Sequence, residues 1–419
     1  MSDNEKTAEP APETAPETAK EVPLFKEPPS DLALRYPTVM DLRKRARRRV
    51  PRFAFDYVDG AAGAGETGMA RNAAALDAIE LVPRYGLENF KADMEVELFG
   101  RTFAAPVGIA PMGLPGMVWP GGEEAFARAA QAARIPFTLG SSAGAPVERI
   151  AELAPDCTWF QLYRMPRNDL AINFDLVRRA EAAGVHVLVL TLDVPARTKR
   201  PRELRNKLII PYRPGLHTVM DVLPHPGWLM ALSKHGQNAF ANYQAYAGEN
   251  LPNREVVKFV RQNSGGTFTW DEVAQFRERW PGPLVVKGIL HPQDAERAVE
   301  LGVDGVVVSN HGGRQLESAP ASVDVLPSVV AAVGDRATVL FDSGIRSGED
   351  VVRALALGAK STLSGRAFMY GLAALGDRGP GHVAKFFFDE IAEAMRQVGA
   401  HNTSEPQDLV IRHPGAFEL

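Results

Sequence analysis

With 419 residues, 45% of them hydrophobic, the chain can bury one large core, and barrel folds exceed the usual domain size without dividing. A formal net charge of −4, from 47 basic and 51 acidic residues, excludes a global field that would draw in nucleic acid or an anionic membrane. A single cysteine, Cys157, allows no internal disulfide, and there is no CxxC pair or clustered His/Cys pattern for a metal, which fits a reducing cytosol.

Residues 1–30 are too polar and proline-rich to pack and contain a near-repeat, APET at 11–14 and PETA at 16–19; they are expected to form a disordered tail. No apolar run follows a basic start and no stretch of apolar residues is long enough to span a bilayer, so a cytoplasmic protein is expected. The basic run Arg43, Lys44, Arg45, Arg47, Arg48, Arg49 and Arg52 overlaps a helical pattern entered through Thr38 and Asp41. That overlap favours a solvated helix face over nucleic-acid contact. The segment 31–103 is expected to pack on one end of the domain, carrying Phe55, Asp56 and Tyr57 there.

From residue 104, short apolar runs alternate with alanine-rich amphipathic stretches, as expected of βα units around a parallel sheet. Eight strands can be counted, at 106–111, 136–140, 159–163, 186–193, 283–288, 305–310, 338–342 and 361–365. The intervening helical stretches often end at glycine. The predicted fold is α/β, a (β/α)8 TIM barrel over 31–400 with an N-terminal helical extension and a C-terminal tail at 401–419. About ninety residues separate strands four and five, more than one crossover needs, so 194–270 reads as an insertion, in the position of a lid.

Barrel enzymes carry their reacting groups at the C-terminal strand ends. Here those ends are unusually polar: Pro111, Met112 and Gly113; Gly140 and Ser141; Gln161 and Tyr163; Thr191 and Asp193; Lys287; Ser309 to His311; Asp342; Gly365 and Arg366. Helix capping explains some of these but not Lys287, His311 or Arg366. The last two units, DSGIRSG and SGRAF, place Arg346 and Arg366 among glycines where barrels bind phosphate, and two guanidinium forks with exposed N–H groups suit a phosphate dianion.

The string SNHGGRQL at 309–316 resembles the signature of the FMN-dependent 2-hydroxy acid dehydrogenases and oxidases, which include glycolate oxidase, lactate dehydrogenases and mandelate dehydrogenase. The resemblance covers about residues 38–400. It implies His311 as catalytic base with Asp193 orienting its imidazole, Arg200 and Arg314 on the substrate carboxylate, and Tyr57 and Tyr163 as further substrate contacts. It implies Lys287 beside the flavin ring. Gln161, Thr191 and Ser309 would contact the isoalloxazine, and Asp342, Ser343, Gly344, Ile345, Arg346, Gly365 and Arg366 the ribityl chain and phosphate. FMN is the implied cofactor, a small 2-hydroxy acid the substrate, a quinone or similar acceptor the partner, and a homotetramer the assembly. Electron transfer as hydride or through a carbanion stays open.

Two positions depart from the family pattern and a third distinguishes its members. Pro201 follows Arg200 where relatives carry an acidic residue, and Arg202 lies close by, so either arginine could serve. Gly140 stands where relatives often have serine, which removes a flavin contact or shifts it to Ser141. Gly113 resembles the glycine of dehydrogenase members where oxidases carry alanine, although a glycine there could equally serve a turn. Pro226, Trp228, His235, Gly236 and Asn242 resemble a membrane-docking segment, and the apolar residues Trp228, Leu229, Met230 and Leu232 beside Lys234 suit an interface; an ordinary packed lid fits as well. The rival readings are a peroxide-forming oxidase, a flavin-free isomerase using the same phosphate rim, and a non-catalytic flavin binder. An inosine-monophosphate dehydrogenase-like enzyme would need a cysteine at the barrel mouth, and Cys157 precedes its strand.

Overall fold

The computed structural model describes residues 30–208, 215–236, 240–248 and 251–417; the expected tail at 1–29 lies outside the described residues. Eight parallel strands close into a barrel in chain order: β1 (Val107–Ile109), β2 (Phe137–Gly140), β3 (Thr158–Leu162), β4 (Val187–Thr191), β5 (Leu284–Ile289), β6 (Gly305–Val308), β7 (Thr338–Asp342) and β8 (Ser361–Ser364), with β8 pairing back to β1. All eight predicted strands are present. Nearly every residue in them is buried, as a parallel sheet covered on both faces requires, and this is why they read as apolar runs rather than alternating ones.

The extension begins with helices Asp31–Arg35, Val39–Arg49, Arg52–Asp59 and Thr67–Asp77. Thr38 caps the second, its Oγ1 accepting from Asp41 N–H at 3.2 Å. The basic run on that helix is only partly a solvated face. Arg43 pairs with buried Asp59, and Arg49 donates to the Ala373 carbonyl and lies over the Trp119 ring at 3.9 Å. A hairpin, Val96–Leu98 with Arg101–Phe103, closes the N-terminal end of the barrel, its Phe99 and Phe103 packing edge-on against Trp159. Residues 401–417 lie on the barrel wall, with Ile411–Arg412 pairing antiparallel to Glu80–Leu81 and Phe417 N–H donating to the Asp324 carbonyl.

Between β4 and β5 the insertion runs through helices Pro201–Arg205, Leu216–Val222, Pro226–His235 and Asn253–Asn263 before the barrel helix Trp270–Arg279, which opens on a Thr269/Glu272 capping box. Two buried anchors hold it. Trp228 donates from its indole to the Val118 carbonyl at 3.1 Å, and the Asn242 amide bridges Val147 N–H and the Ser141 carbonyl. Trp228 is therefore buried, and Leu229 and Leu232 pack against the core. Among the described residues, the large apolar side chains this region exposes are Leu204, Leu216, Val219, Met220, Leu223, Met230 and Leu251.

Candidate active site

A cavity of about 720 Å³ opens at the C-terminal end of the barrel. It is lined by Tyr57, Pro111, Met112, Gly113, Tyr163, Arg200, Lys287, His311, Arg314, Asp342 to Arg346, Gly365 and Arg366. Residues from the extension, from the ends of all eight strands and from the insertion thus meet in one place.

His311 follows β6 in a left-handed turn with φ +58°, continued by Gly312 at +65° and Gly313 at +73°. Its Nδ1 lies 2.9 Å from Asp193 Oδ1, just past β4, and its Nε2 lies 3.4 Å from the Tyr163 hydroxyl. Burial opposes ionisation of Asp193, but the charge and hydrogen bond of His311, with Lys287 behind them, outweigh it and hold the carboxyl below its usual range. An ionised Asp193 fixes the proton on Nδ1 and leaves the Nε2 lone pair facing the cavity.

Arg314 donates to the Tyr57 and Gly60 carbonyls at 2.7 and 2.9 Å and to Glu203 Oε1 at 2.9 Å. Arg200 reaches the same Glu203 oxygen at 3.2 Å. Glu203, which the sequence reading did not single out, sits between the two guanidinium groups and offsets their repulsion. Of the two candidate arginines, Arg200 lines the cavity; Arg202 is committed to Asp59 at 2.6 Å and Glu66 at 2.5 Å. Pro201 opens the short helix that Arg200 precedes and Arg202 belongs to, where a first-turn proline loses no hydrogen bond.

Tyr57 donates from its hydroxyl to the Gly113 carbonyl at 2.8 Å, and a Cβ on Gly113 would stand 3.0 Å from that hydroxyl. Gly113 has no positive φ, so its need for glycine comes from the tyrosine pressed against it, not from a turn. Gly140 is equally hemmed in, with the Met112 carbonyl and Gln161 Oε1 at 3.1 and 3.3 Å from a built Cβ. The Ser141 hydroxyl accepts from Tyr163 N–H and lies against Tyr243. Ser142, not Ser141, reaches the cavity.

Lys287 projects from β5 to Ser309 Oγ at 2.7 Å and Asp342 Oδ2 at 2.8 Å. Beside it, on β3 and β4, two side-chain atoms are buried without a partner: Gln161 Nε2 and Thr191 Oγ1. Buried polar atoms are rarely left unpaired, and these two, close to Lys287 at the C-terminal strand ends, are placed where a polar ligand would satisfy them. At the other end of the cavity Arg346 carries no side-chain hydrogen bond among the described residues. Arg366 lines the cavity too and donates three of its five N–H groups to the Val58, Gly60 and Gly312 carbonyls at 3.1, 2.9 and 2.8 Å. It also opens the ten-residue helix Arg366–Leu375, whose first N–H groups point out of the helix.

The family model for FMN-dependent dehydrogenases matches residues 46–413. The chain belongs to that family. FMN is its cofactor, and the residues present fit it: two unpartnered amide and hydroxyl groups for a polar ring, a lysine beside them, and an arginine with a helix start for a phosphate. Among relatives of this FMN-dependent dehydrogenase, the L-lactate dehydrogenase of Chromohalobacter salexigens is 38% identical over 366 residues, covering 87% of this chain and 92% of the relative. That of Pseudomonas aeruginosa is 39% identical over 378 residues, 90% and 98% of the two chains. The solved structure of the monotopic membrane protein (S)-mandelate dehydrogenase superposes with a TM-score of 0.83 at 35% identity, covering 89% of this chain and 98% of that one. Mandelate oxidase with (S)-4-hydroxymandelic acid gives 0.78 at 34%, over 90% and 99%.

Proposed function

We propose that the protein is an (S)-2-hydroxy acid dehydrogenase that takes a lactate- or mandelate-like acid to the 2-oxo acid and passes the electrons to a quinone or similar acceptor. FMN-dependent oxidation of 2-hydroxy acids follows from the family and its named relatives. The observation that carries the residue assignments is the His311–Asp193 pair at 2.9 Å, facing a cavity that Arg200 and Arg314 also line. Arg200 and Arg314 take the substrate carboxylate and Tyr57 and Tyr163 its hydroxyl end. His311 Nε2 removes a proton, and Asp193 stabilises the imidazolium that results. Bound FMN supplies the two-electron acceptor. Lys287, balanced by Asp342, sets a fixed positive charge where negative charge develops. Leu208, Phe240 and Val260 give the substrate end an apolar wall that suits an alkyl or aryl side chain.

Replacing His311 with Gln is the direct test. The variant should keep its yellow flavin yet show no bleaching with (S)-lactate or (S)-mandelate; bleaching at the wild-type rate removes His311 from the role. Gly113, which resembles the glycine of dehydrogenase members where oxidases carry alanine, supports the dehydrogenase reading. Peroxide release in air at the rate of quinone reduction would favour the oxidase instead.

The exposed residues Leu216, Val219, Met220, Leu223 and Met230 support a peripheral attachment to the inner face of a membrane, on a surface formed mostly by the helix before Trp228. No helix among the described residues is long and apolar enough to cross a membrane. Vesicle sedimentation of wild type and a Met220→Asp, Leu223→Asp variant checks this, with co-sedimentation lost in the variant. Equal behaviour of the two counts against it. A homotetramer is the assembly we propose, checked by light scattering.

A further inference from the structure

The turn that presents His311 is costly in isolation. A histidine at φ +58° is uncommon for a non-glycine residue, and such strain persists only where the surroundings over-determine it. Four successive backbone N–H groups in this turn, from residue 310 to 313, face side-chain oxygens instead of a strand partner. Asn310 N–H and Gly312 N–H both donate to Ser343 Oγ, at 3.3 and 2.9 Å. His311 N–H donates to Ser309 Oγ at 3.0 Å, and Gly313 N–H to Asn310 Oδ1 at 3.1 Å. Two of the four therefore converge on one hydroxyl from a different strand, on either side of the histidine.

Ser343 is itself held in place at a cost. It sits at φ +85°, a conformation that glycine adopts freely and serine does not. Its hydroxyl proton goes to Asp342 Oδ1 at 2.8 Å, while Asp342 Oδ2 accepts from Lys287 at 2.8 Å. Serine in place of glycine here adds backbone strain, so the compensation must come from the hydroxyl, and both lone pairs of that hydroxyl are spent on the histidine turn. This differs from the ribityl or phosphate contact that resemblance implies for Ser343.

The geometry points to Ser343 as a positioning residue for the proton-abstracting histidine: its hydroxyl, oriented by Asp342, clamps the peptides flanking His311 and sets where Nε2 stands. The inference rests on His311 as the base. Because Lys287 holds both Asp342 and Ser309, the cation on the cofactor side and the turn that carries the base form one hydrogen-bonded unit. A change in one is transmitted to the other through two hydroxyl groups.

Two substitutions separate the hydroxyl from the strain. Ser343→Gly removes the hydroxyl and relieves φ, while Ser343→Ala removes the hydroxyl and keeps the strain. Holoenzyme of each is compared with wild type and with His311→Gln for bound flavin per chain, thermal midpoint, kcat, KM, and the kinetic isotope effect with substrate deuterated at C2. The expected result is that both Ser343 variants keep flavin and KM near wild type but lose kcat by about 10²-fold, as a small misplacement of a reacting group produces, with a larger isotope effect because C–H cleavage now limits turnover. Ser343→Thr, which keeps a hydroxyl, should recover part of the loss. A Ser343→Gly enzyme with wild-type kcat, or loss of flavin from both variants, overturns the inference while leaving His311 as the base. Turnover by His311→Gln instead overturns the reading on which it rests.

Discussion

Asp59→Asn probes the join between the extension and the barrel. One buried carboxylate there receives Arg43 through two bonds at 2.5 and 2.8 Å, Arg202 at 2.6 Å and the Tyr370 hydroxyl at 2.6 Å. Burial opposes its ionisation, but these three donors prevail and hold its pKa far below the usual carboxylate range. Breaking a buried ion pair by removing one partner costs about 3–5 kcal/mol. Arg43 is partly solvated and Arg202 keeps Glu66, which lowers the expectation to about 2–3 kcal/mol. For 419 residues at about 2 cal/mol/K per residue, that is a fall in Tm of roughly 3 °C. Thermal unfolding of the holoenzyme, followed by flavin fluorescence and circular dichroism, measures it. The pH dependence has a defined sign. A depressed carboxylate stabilises the fold above its unfolded pKa of about 4 and loses that contribution as pH falls below it, so the gap between wild type and variant should be constant near neutrality and close below about pH 4. KM should rise as well, since the neighbouring Gly60 carbonyl holds Arg314. An unchanged Tm and KM at pH 7, or a gap that widens in acid, would refute the reasoning.

Three further outcomes are expected. Thr191→Val removes a hydroxyl that has no partner among the described residues, so FMN-free protein should be no less stable while FMN binds about 3- to 10-fold more weakly, as one lost hydrogen bond implies; a fluorescence titration decides, and a destabilised apoprotein with unchanged affinity would contradict it. Glu203→Ala removes the carboxylate that joins the two substrate-facing guanidinium groups and should raise KM about tenfold, whereas Glu203→Gln keeps an acceptor oxygen and should recover most of that; equal KM values in the two would show that the bridge does not orient the arginines. Burial raises the Glu390 carboxyl to about 7, although it accepts from Gly348 N–H at 2.7 Å. Its stabilising contribution is present below its unfolded pKa and is lost as pH rises through 7, so Glu390→Gln should raise Tm at pH 8 and leave it unchanged at pH 4.5.

The barrel was legible because each strand is buried on both faces and each helix on one, which writes two distinct periodicities into the chain. The rim was legible because parallel strands have no reason to end in lysine, histidine and arginine. What escaped is whatever depends on the partner across the fold. Arg346 and Arg366 look alike in sequence, yet carbonyls at Val58, Gly60 and Gly312 take up one of them. Ser141 and Ser142 are neighbours, and only the approach of Tyr243 decides which faces the cavity. Glu203 sits three residues past Arg200, on the face of a short helix that also meets Arg314. Trp228 looked like an interfacial aromatic because local composition cannot show that its indole is spent on Val118.

The carbonyls that hold Arg314 and Arg366 belong to residues 57–60, between 254 and 308 positions earlier in the chain. During synthesis those carbonyls emerge first and must wait for the sixth and the eighth βα units before they find their cations, and loop closure over such distances comes late. The join between the extension and the barrel is thus completed late, and a chain cut short before residue 366 would keep both arginines assigned to the substrate carboxylate but lack the guanidinium that ties Val58 and Gly60 to the last unit.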